Sequence, residues 1–203
     1  MITTMEKRQS VNIKFLLKSN LKLIVITVIF VFSLVIGSFS VSVGENSNMA
    51  SYFLDYIKYL KNCEFLNLFF NYYFYFSLFI LLNMVLGLCV IGVFLNWFVL
   101  FLLGFGIGNV SGFIFYEYSL NGLCFFLLLL MPALFLYSIV FIISFRDSSD
   151  FSLKLLRSVN KREVFSESLK KYFIKYIIYF IILIFISLFN TFVITNFYVL
   201  FDF

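Results

Sequence analysis

The sequence predicts an all-α integral membrane protein, a polytopic bundle of about five transmembrane helices. Fifty-two consecutive residues, 65–116, contain no Asp, Glu, Lys or Arg. Because about 20 apolar residues cross a bilayer as a helix, this run is long enough for two crossings and a turn. Hydrophobic residues form 63% of the chain and charged residues 12%, which leaves too little polar surface to cover a water-soluble globule of 203 residues.

Five apolar segments divide the chain, which we treat as one transmembrane domain. The second and third are separated by little more than Ile91-Gly92, which predicts a tight hairpin with Gly87 and Gly92 close to its turn. The predicted crossings are residues 23–43, 65–90, 93–115, 123–145 and 174–200.

The basic residues predict how the chain lies in the membrane. Lys and Arg favour the cytoplasmic side. An N-terminal arm, 1–22, and a loop, 146–173, are both rich in Lys and Arg. With the N-terminus in the cytoplasm, thirteen of the fifteen basic residues lie inside and only Lys58 and Lys61 lie outside. We therefore expect a multi-pass protein of the cell membrane with its C-terminus outside.

The first crossing has an alternative interpretation as a cleaved signal peptide. Ser38-Phe39-Ser40 resembles a small-x-small cleavage site. The apolar stretch is about 20 residues, which is longer than a typical signal core and favours an uncleaved anchor.

Two segments outside the bilayer are candidates for contact with partners. In the outer loop, 44–64, the residues Phe53, Ile57 and Leu60 recur at helical spacing and predict an amphipathic helix on the outer interface. That helix is either a docking surface or a simple cap on the bundle. The basic inner loop is either a topology signal, which is the commoner role, or a contact for anionic lipid or a cytoplasmic partner.

The most specific local pattern is a glycine run in the third crossing. Gly104, Gly108 and Gly112 recur every four residues and share one face of a helix, and Gly106 and Ser111 keep the flanks small. Small residues at this spacing let another helix backbone approach closely. The partner helix is either in this chain, which is the simpler expectation, or in another chain, including a second copy.

Polar and helix-breaking residues within the crossings are few. Pro132 lies in the fourth crossing, where it removes one backbone hydrogen bond and predicts a kink. It is either a hinge or a static bend. Four asparagines are candidates for hydrogen bonds between helices: Asn83, Asn96, Asn109 and Asn190.

The composition argues against catalysis. The chain has no His, which removes the commonest general base and metal ligand. Its three cysteines, Cys63, Cys89 and Cys124, have no metal-like spacing, and no phosphate-binding loop or calcium loop is present. We expect no enzyme activity, cofactor, metal site or nucleic-acid partner. We expect membrane lipids to surround the protein.

These elements together resemble the stage II sporulation protein M family. The likeness is concentrated in residues 83–144, which hold the segment Leu86-Gly87-Leu88-Cys89-Val90-Ile91-Gly92-Val93, the glycine run, and Gly122-Leu123 leading to Pro132. The order of elements is also similar, from the basic arm to the last crossing. Family members often follow the proline with Gln-Asn, whereas this chain has Ala133-Leu134, which puts a hydrogen-bonding role at that position in doubt.

The resemblance implies a non-enzymatic scaffold. Similar proteins hold the peptidoglycan hydrolases known as stage II sporulation proteins D and P at the sporulation septum, where wall degradation permits engulfment of the forespore. The alternative class is the membrane subunit of an export transporter paired with an ATP-binding subunit. The basic inner loop favours that alternative, and the shortage of charged residues within the crossings disfavours it.

Overall fold

A computed structural model describes the backbone of residues 2–43, 64–157 and 162–197. Side chains are described for residues 21–41, 64–116, 118, 120, 122–156 and 169–197. Within these ranges every regular element is helical, as predicted. The helices are α1 (Ile2–Val43), α2 (Phe65–Gly87), α3 (Gly92–Phe125), α4 (Met131–Arg157) and α5 (Arg162–Phe197), and a π-helical turn, Phe126–Leu130, joins α3 to α4.

Five helical stretches are long and apolar enough to cross a membrane, which confirms the predicted number of crossings. The shortest has 21 residues and spans about 31 Å at 1.5 Å per residue, close to the thickness of the hydrocarbon core. The stretches are Leu21–Val41, Phe65–Gly87, Gly92–Tyr116, Gly122–Leu156 and Leu169–Phe197.

The chain reverses direction within α3, so that its residues 92–115 run antiparallel to α4 although the helical assignment is continuous. A Cβ atom built on Gly122 would overlap the carbonyl oxygen of Ile114. Eight residues of straight helix would separate these positions by about 12 Å, so the chain reverses direction near residues 116–121. On either side of the reversal, the rings of Trp97 and Phe145 lie 5.0 Å apart.

The two ends of the bundle differ in chemistry. One end, which we call the polar end, carries an ion pair between Lys22 of α1 and Asp150 of α4. The turn 88–91 lies at the same end, since the hydroxyl of Ser152 donates a hydrogen bond to the carbonyl of Cys89 at 2.6 Å. At the opposite end an apolar cluster contains residues of α1, α2, α3 and α5, with Leu134 of α4 packed against it: Val41, Leu68, Phe113, Phe125 and Ile194.

Helix α4 lies at the centre of the bundle. Its buried stripe recurs every four residues, which is the spacing of one helix face, and comprises Ala133, Tyr137, Phe141 and Phe145. The ring of Tyr137 stacks on Phe76 of α2 with 3.7 Å between centroids, and its hydroxyl shares a 2.8 Å hydrogen bond with Ser187 of α5. The stripe therefore fixes α4 against both neighbours within the span.

Helix α4 extends further than the predicted fourth crossing. Much of the segment predicted as the cytoplasmic loop, 146–173, is helical, since α4 continues to Arg157 and α5 begins at Arg162. The extension stays helical because its polar side chains find partners on neighbouring helices: Asp147, Ser148 and Ser152 are buried. The first charged residues after the apolar run, Arg146 and Asp147, therefore do not mark the end of α4.

Candidate functional site

The glycine stripe of α3 packs against α1 of the same chain. Gly104, Gly108 and Gly112 are all buried. A Cβ atom on Gly108 would overlap the carbonyl of Leu34, and one on Gly112 would lie 2.5 Å from the carbonyl oxygen of Ser38. Because side chains are missing along this stripe, the two helix backbones approach each other directly.

Helix α1 contributes a glycine to the same contact. A Cβ atom on Gly37 would overlap the carbonyl of Phe105, so the close approach is reciprocal. Further along, the hydroxyl of Ser40 lies 3.0 Å from the side-chain oxygen of Asn109. We call Gly37, Gly104, Gly108 and Gly112 the glycine seam. Since α1 covers it, the seam is interior surface of this protein.

The two small residues beside the stripe have different surroundings. A Cβ atom on Gly106 would meet only the hydroxyl of Tyr75, at 4.0 Å. Ser111 donates a hydrogen bond to the carbonyl of Gly108 in its own helix, at 2.8 Å. Gly106 therefore lies outside the close contact with α1, and the hydroxyl of Ser111 is bonded within its own helix.

The predicted hairpin glycines lie on either side of the turn 88–91, where Gly87 ends α2 and Gly92 begins α3. A Cβ atom on Gly87 would overlap the hydroxyl of Tyr172 and lie 2.8 Å from that of Ser148. A Cβ atom on Gly92 would overlap the carbonyl of Leu86. Gly87 thus gives two hydroxyl groups access to the end of α2, and Gly92 allows the chain to turn tightly.

Serines of α4 bind the ends of α2 and α3. The hydroxyl of Ser148 donates to the carbonyl of Asn83 at 2.6 Å and accepts a hydrogen bond from the side-chain amide of Asn96. One side chain of α4 is thereby hydrogen-bonded to both helices of the hairpin. In a low-dielectric interior such bonds are favoured because the unpaired groups would be costly.

Tyrosines of α5 complete the contact. The last carbonyls of a helix have no regular partner within that helix. Tyr172 donates to one of these in α2, the carbonyl of Met84, at 2.8 Å. Tyr176 donates to the carbonyl of Ser144, in the middle of α4, at 3.1 Å, and so adds a second hydrogen bond from α5 to a neighbouring helix.

A charged cluster joins α4 to α5 beside these tyrosines. Asp147 is 9% exposed, and one of its oxygens accepts hydrogen bonds from Lys175 at 2.8 Å and Tyr179 at 2.6 Å. Its other oxygen lies 3.8 Å from the guanidinium of Arg146. We call the whole set the polar junction: Asn83, Asn96, Arg146, Asp147, Ser148, Ser152, Tyr172, Lys175, Tyr176 and Tyr179.

Some amide atoms of the junction lack partners. Both side-chain polar atoms of Asn83 and the side-chain oxygen of Asn96 are buried and unpaired within the described part of the chain. Each such atom costs about 1–3 kcal/mol relative to a paired one. These asparagines therefore do not act simply as matched interhelical hydrogen-bonding partners.

The sequence interpretation missed most of the junction. Ser144, Ser148 and Ser152 recur every four residues and continue the buried stripe of α4, which is a signal that the sequence does contain. Tyrosines at the start of an apolar segment are typical of a membrane–water interface, but Tyr172 and Tyr176 are buried. Their role in joining helices is visible only from their hydrogen bonds to the carbonyls of Met84 and Ser144.

Two predicted features have a limited structural description. The docking residues of the outer loop, Phe53, Ile57 and Leu60, lie outside the described residues. Pro132 lies two residues after the end of the π-helical turn, where the amide of Met131 bonds the carbonyl of Phe126. A π-helical turn and a proline are both recognised causes of helix distortion, and here they coincide.

The described residues contain no group of three His, Cys, Asp or Glu side chains that could hold a metal ion. The polar junction is instead a set of hydroxyl, amide and paired ionic groups bonded mainly to one another and to backbone carbonyls. Such an arrangement holds helices in register.

A family model for stage II sporulation protein M matches residues 26–194 of the 203. The chain belongs to the stage II sporulation protein M family. The match begins within the first span and ends near the close of the fifth, so the glycine seam and the polar junction both lie inside it. Stage II sporulation protein M is not a known enzyme family, and membership indicates a sporulation-related, multi-pass membrane protein. Searches of curated proteins and of solved structures returned no match to this chain.

Proposed function

We propose that this protein is a non-enzymatic membrane scaffold that anchors peptidoglycan hydrolases at the sporulation septum. Stage II sporulation proteins D and P are the proposed partners, and septal wall degradation with engulfment of the forespore is the proposed outcome. The observation that carries the proposal is the family match over residues 26–194. It applies to nearly the whole membrane-spanning part of the chain.

The packing of the bundle supports a scaffold. The glycine seam holds α1 against α3, and the polar junction binds α4 to α2, α3 and α5. The ion pair between Lys22 and Asp150 adds α1 to this set. A bundle fixed at so many points offers a constant surface to a partner, which lowers the ordering cost of binding.

The docking surface that we propose is the outer loop, 44–64. The glycine stripe is the other candidate from the sequence, but α1 occupies it. Wall hydrolases act outside the membrane, and the outer loop is the longest segment assigned to that side. Its apolar residues Phe53, Ile57 and Leu60 share a helical spacing suited to a hydrophobic contact.

The test is purification of the tagged full-length protein from sporulating cells, followed by identification of what accompanies it. We expect the two hydrolases with the wild-type protein. The triple variant F53A/I57A/L60A should reduce their recovery by about tenfold, as expected when apolar anchors of an interface are truncated. The matched control D55A/K58A alters the same loop away from that face and should leave recovery unchanged.

Two outcomes contradict parts of the proposal. If the triple variant, correctly inserted, retains the hydrolases, the outer loop is not the docking surface. If the wild-type protein brings down an ATP-binding subunit and no hydrolase, the scaffold is wrong and the export-transporter alternative is favoured.

A further inference from the structure

At the polar end of the bundle, where α4 contacts α5, there are more positive than negative side chains. Arg146 and Lys175 both face the single carboxylate of Asp147. The second acid nearby, Asp150, is paired with Lys22 of α1. The cluster of Arg146, Asp147 and Lys175 therefore keeps one net positive charge.

The guanidinium of Arg146 has N–H groups that make no hydrogen bond within the described residues. A guanidinium offers five N–H groups in a rigid fork. Its separation of 3.8 Å from Asp147 is an ionic contact and too long for a hydrogen bond. Within the described residues no hydrogen bond from this guanidinium is found, and its side chain is 30% exposed.

Lys175 is held beside it and is also accessible. Its amine donates one hydrogen bond to Asp147, and its side chain is 53% exposed. Asp147 thus positions two cations on adjacent helices, with Tyr179 bonding the same carboxylate from α5. The buried carboxylate of Asp147 holds the two cations in place, and both cations remain partly exposed at the surface of the bundle.

The depth of this pair corresponds to the lipid headgroups. Arg146 directly follows a 23-residue run, 123–145, that contains no charged residue. On the membrane side of Lys175, the exposed face of α5 is apolar and includes Ile178 and Ile182. A lipid whose tail covers these isoleucines would place its headgroup near Arg146 and Lys175.

We propose that Arg146 and Lys175 form a binding site for the phosphate of an anionic phospholipid of the phosphatidylglycerol class. The guanidinium fork matches two phosphate oxygens, and the lysine amine supplies a further charge-assisted hydrogen bond. Basic pockets between transmembrane helices near the headgroups take anionic lipids in this way. Asp147 is the positioning residue of the site. The site is independent of the scaffold function proposed above.

The test uses the full-length protein purified in detergent and titrated with phosphatidylglycerol or phosphatidylcholine, with bound lipid counted by native mass spectrometry. We expect one preferred phosphatidylglycerol and weaker phosphatidylcholine binding. R146Q and K175Q should each weaken phosphatidylglycerol binding by about tenfold, the effect of losing one charge-assisted contact. The control K154Q removes an exposed charge from the same helix and should have no effect.

Other results overturn the site. Equal binding of both lipids, or equal losses in K154Q and R146Q, would mean that general positive charge attracts the lipid. Inorganic phosphate that binds alone in an Arg146-dependent manner would point to a soluble anion instead. R146K keeps the charge but lacks the guanidinium fork, so its affinity for phosphatidylglycerol should lie between those of wild type and R146Q. A loss as large as that of R146Q would mean that replacing Arg146 disturbs the fold.

Discussion

The hydroxyl of Tyr172 donates a 2.8 Å hydrogen bond to the backbone carbonyl of Met84. This contact joins α5 to the end of α2, where the amides of Leu88 and Cys89 turn to the carbonyls of Val85 and Leu86 and Tyr172 supplies the donor for Met84. Gly87 makes the contact possible, since any side chain there would occupy the position of the hydroxyl. A side chain 88 residues further along the chain thus completes the C-terminus of α2.

Replacing Tyr172 with Phe removes this hydrogen bond and keeps the ring that stacks on Phe151. We expect a loss of about 1 kcal/mol in unfolding free energy, since a buried carbonyl is left unpaired. Thermal unfolding of the detergent-purified protein measures it. Y116F, at a tyrosine that is 70% exposed, is the control and should be neutral. Equal stability of Y172F and wild type would show that the contact contributes nothing.

Replacing Gly108 with Ala should force α1 and α3 apart, because the new Cβ atom overlaps the backbone of Leu34. Overpacking of this kind costs about 1–3 kcal/mol. Gly106 is the matched control in the same helix, where a Cβ atom would make only an ordinary van der Waals contact, and G106A should be neutral or stabilising by up to about 1 kcal/mol.

Thermal unfolding of the two glycine variants side by side checks this prediction. A G108A protein as stable as G106A would contradict the backbone contact between α1 and α3.

Replacing Lys175 with Met leaves the buried carboxylate of Asp147 with only the distant guanidinium of Arg146 as a cationic partner. We expect a loss of about 2 kcal/mol, because an uncompensated buried charge is costly whereas the partly exposed lysine is not. The double variant D147N/K175M should recover at least half of that loss, since Asn is neutral and still accepts from Tyr179. Failure of D147N to relieve K175M in the same unfolding assay would contradict this account.

Replacing Asn83 with Leu removes two unpaired polar atoms from the interior. The variant should be as stable as wild type or more stable, because an apolar group of similar size has no hydrogen bond to lose. N96L is the comparison and should cost about 1 kcal/mol, as it deletes the bond to Ser148. If N83L is the less stable of the two, the Asn83 amide has a partner that the described residues do not include.

The number and approximate position of the crossings could be predicted because charge is so rare in this chain. The long charge-free run, 65–116, leaves no other environment for its side chains than lipid or a protein interior. The glycine spacing predicted a close helix contact, but only the structure identifies α1 as the helix beside Gly108. Spacing along one helix contains no information about which neighbour faces it.

The polar junction could not be predicted for a related reason. Asp147 follows an apolar run and so resembles a residue at the membrane surface, yet Lys175 and Tyr179 on another helix pair with it and allow α4 to continue. Asn83 and Asn96 were expected to bond other helices. The structure assigns Asn96 such a bond, to Ser148, and none of the described residues pairs with the Asn83 side chain.

The glycine seam also bears on how the chain is assembled during synthesis. Gly37 emerges from the ribosome well before Phe105, the residue whose backbone it contacts. Until α3 has been made and inserted, the small-residue face of α1 lacks the helix that packs against it. The contact of α1 with α3 therefore forms only after about 70 further residues have been made, a delay set by the order of the two helices in the chain.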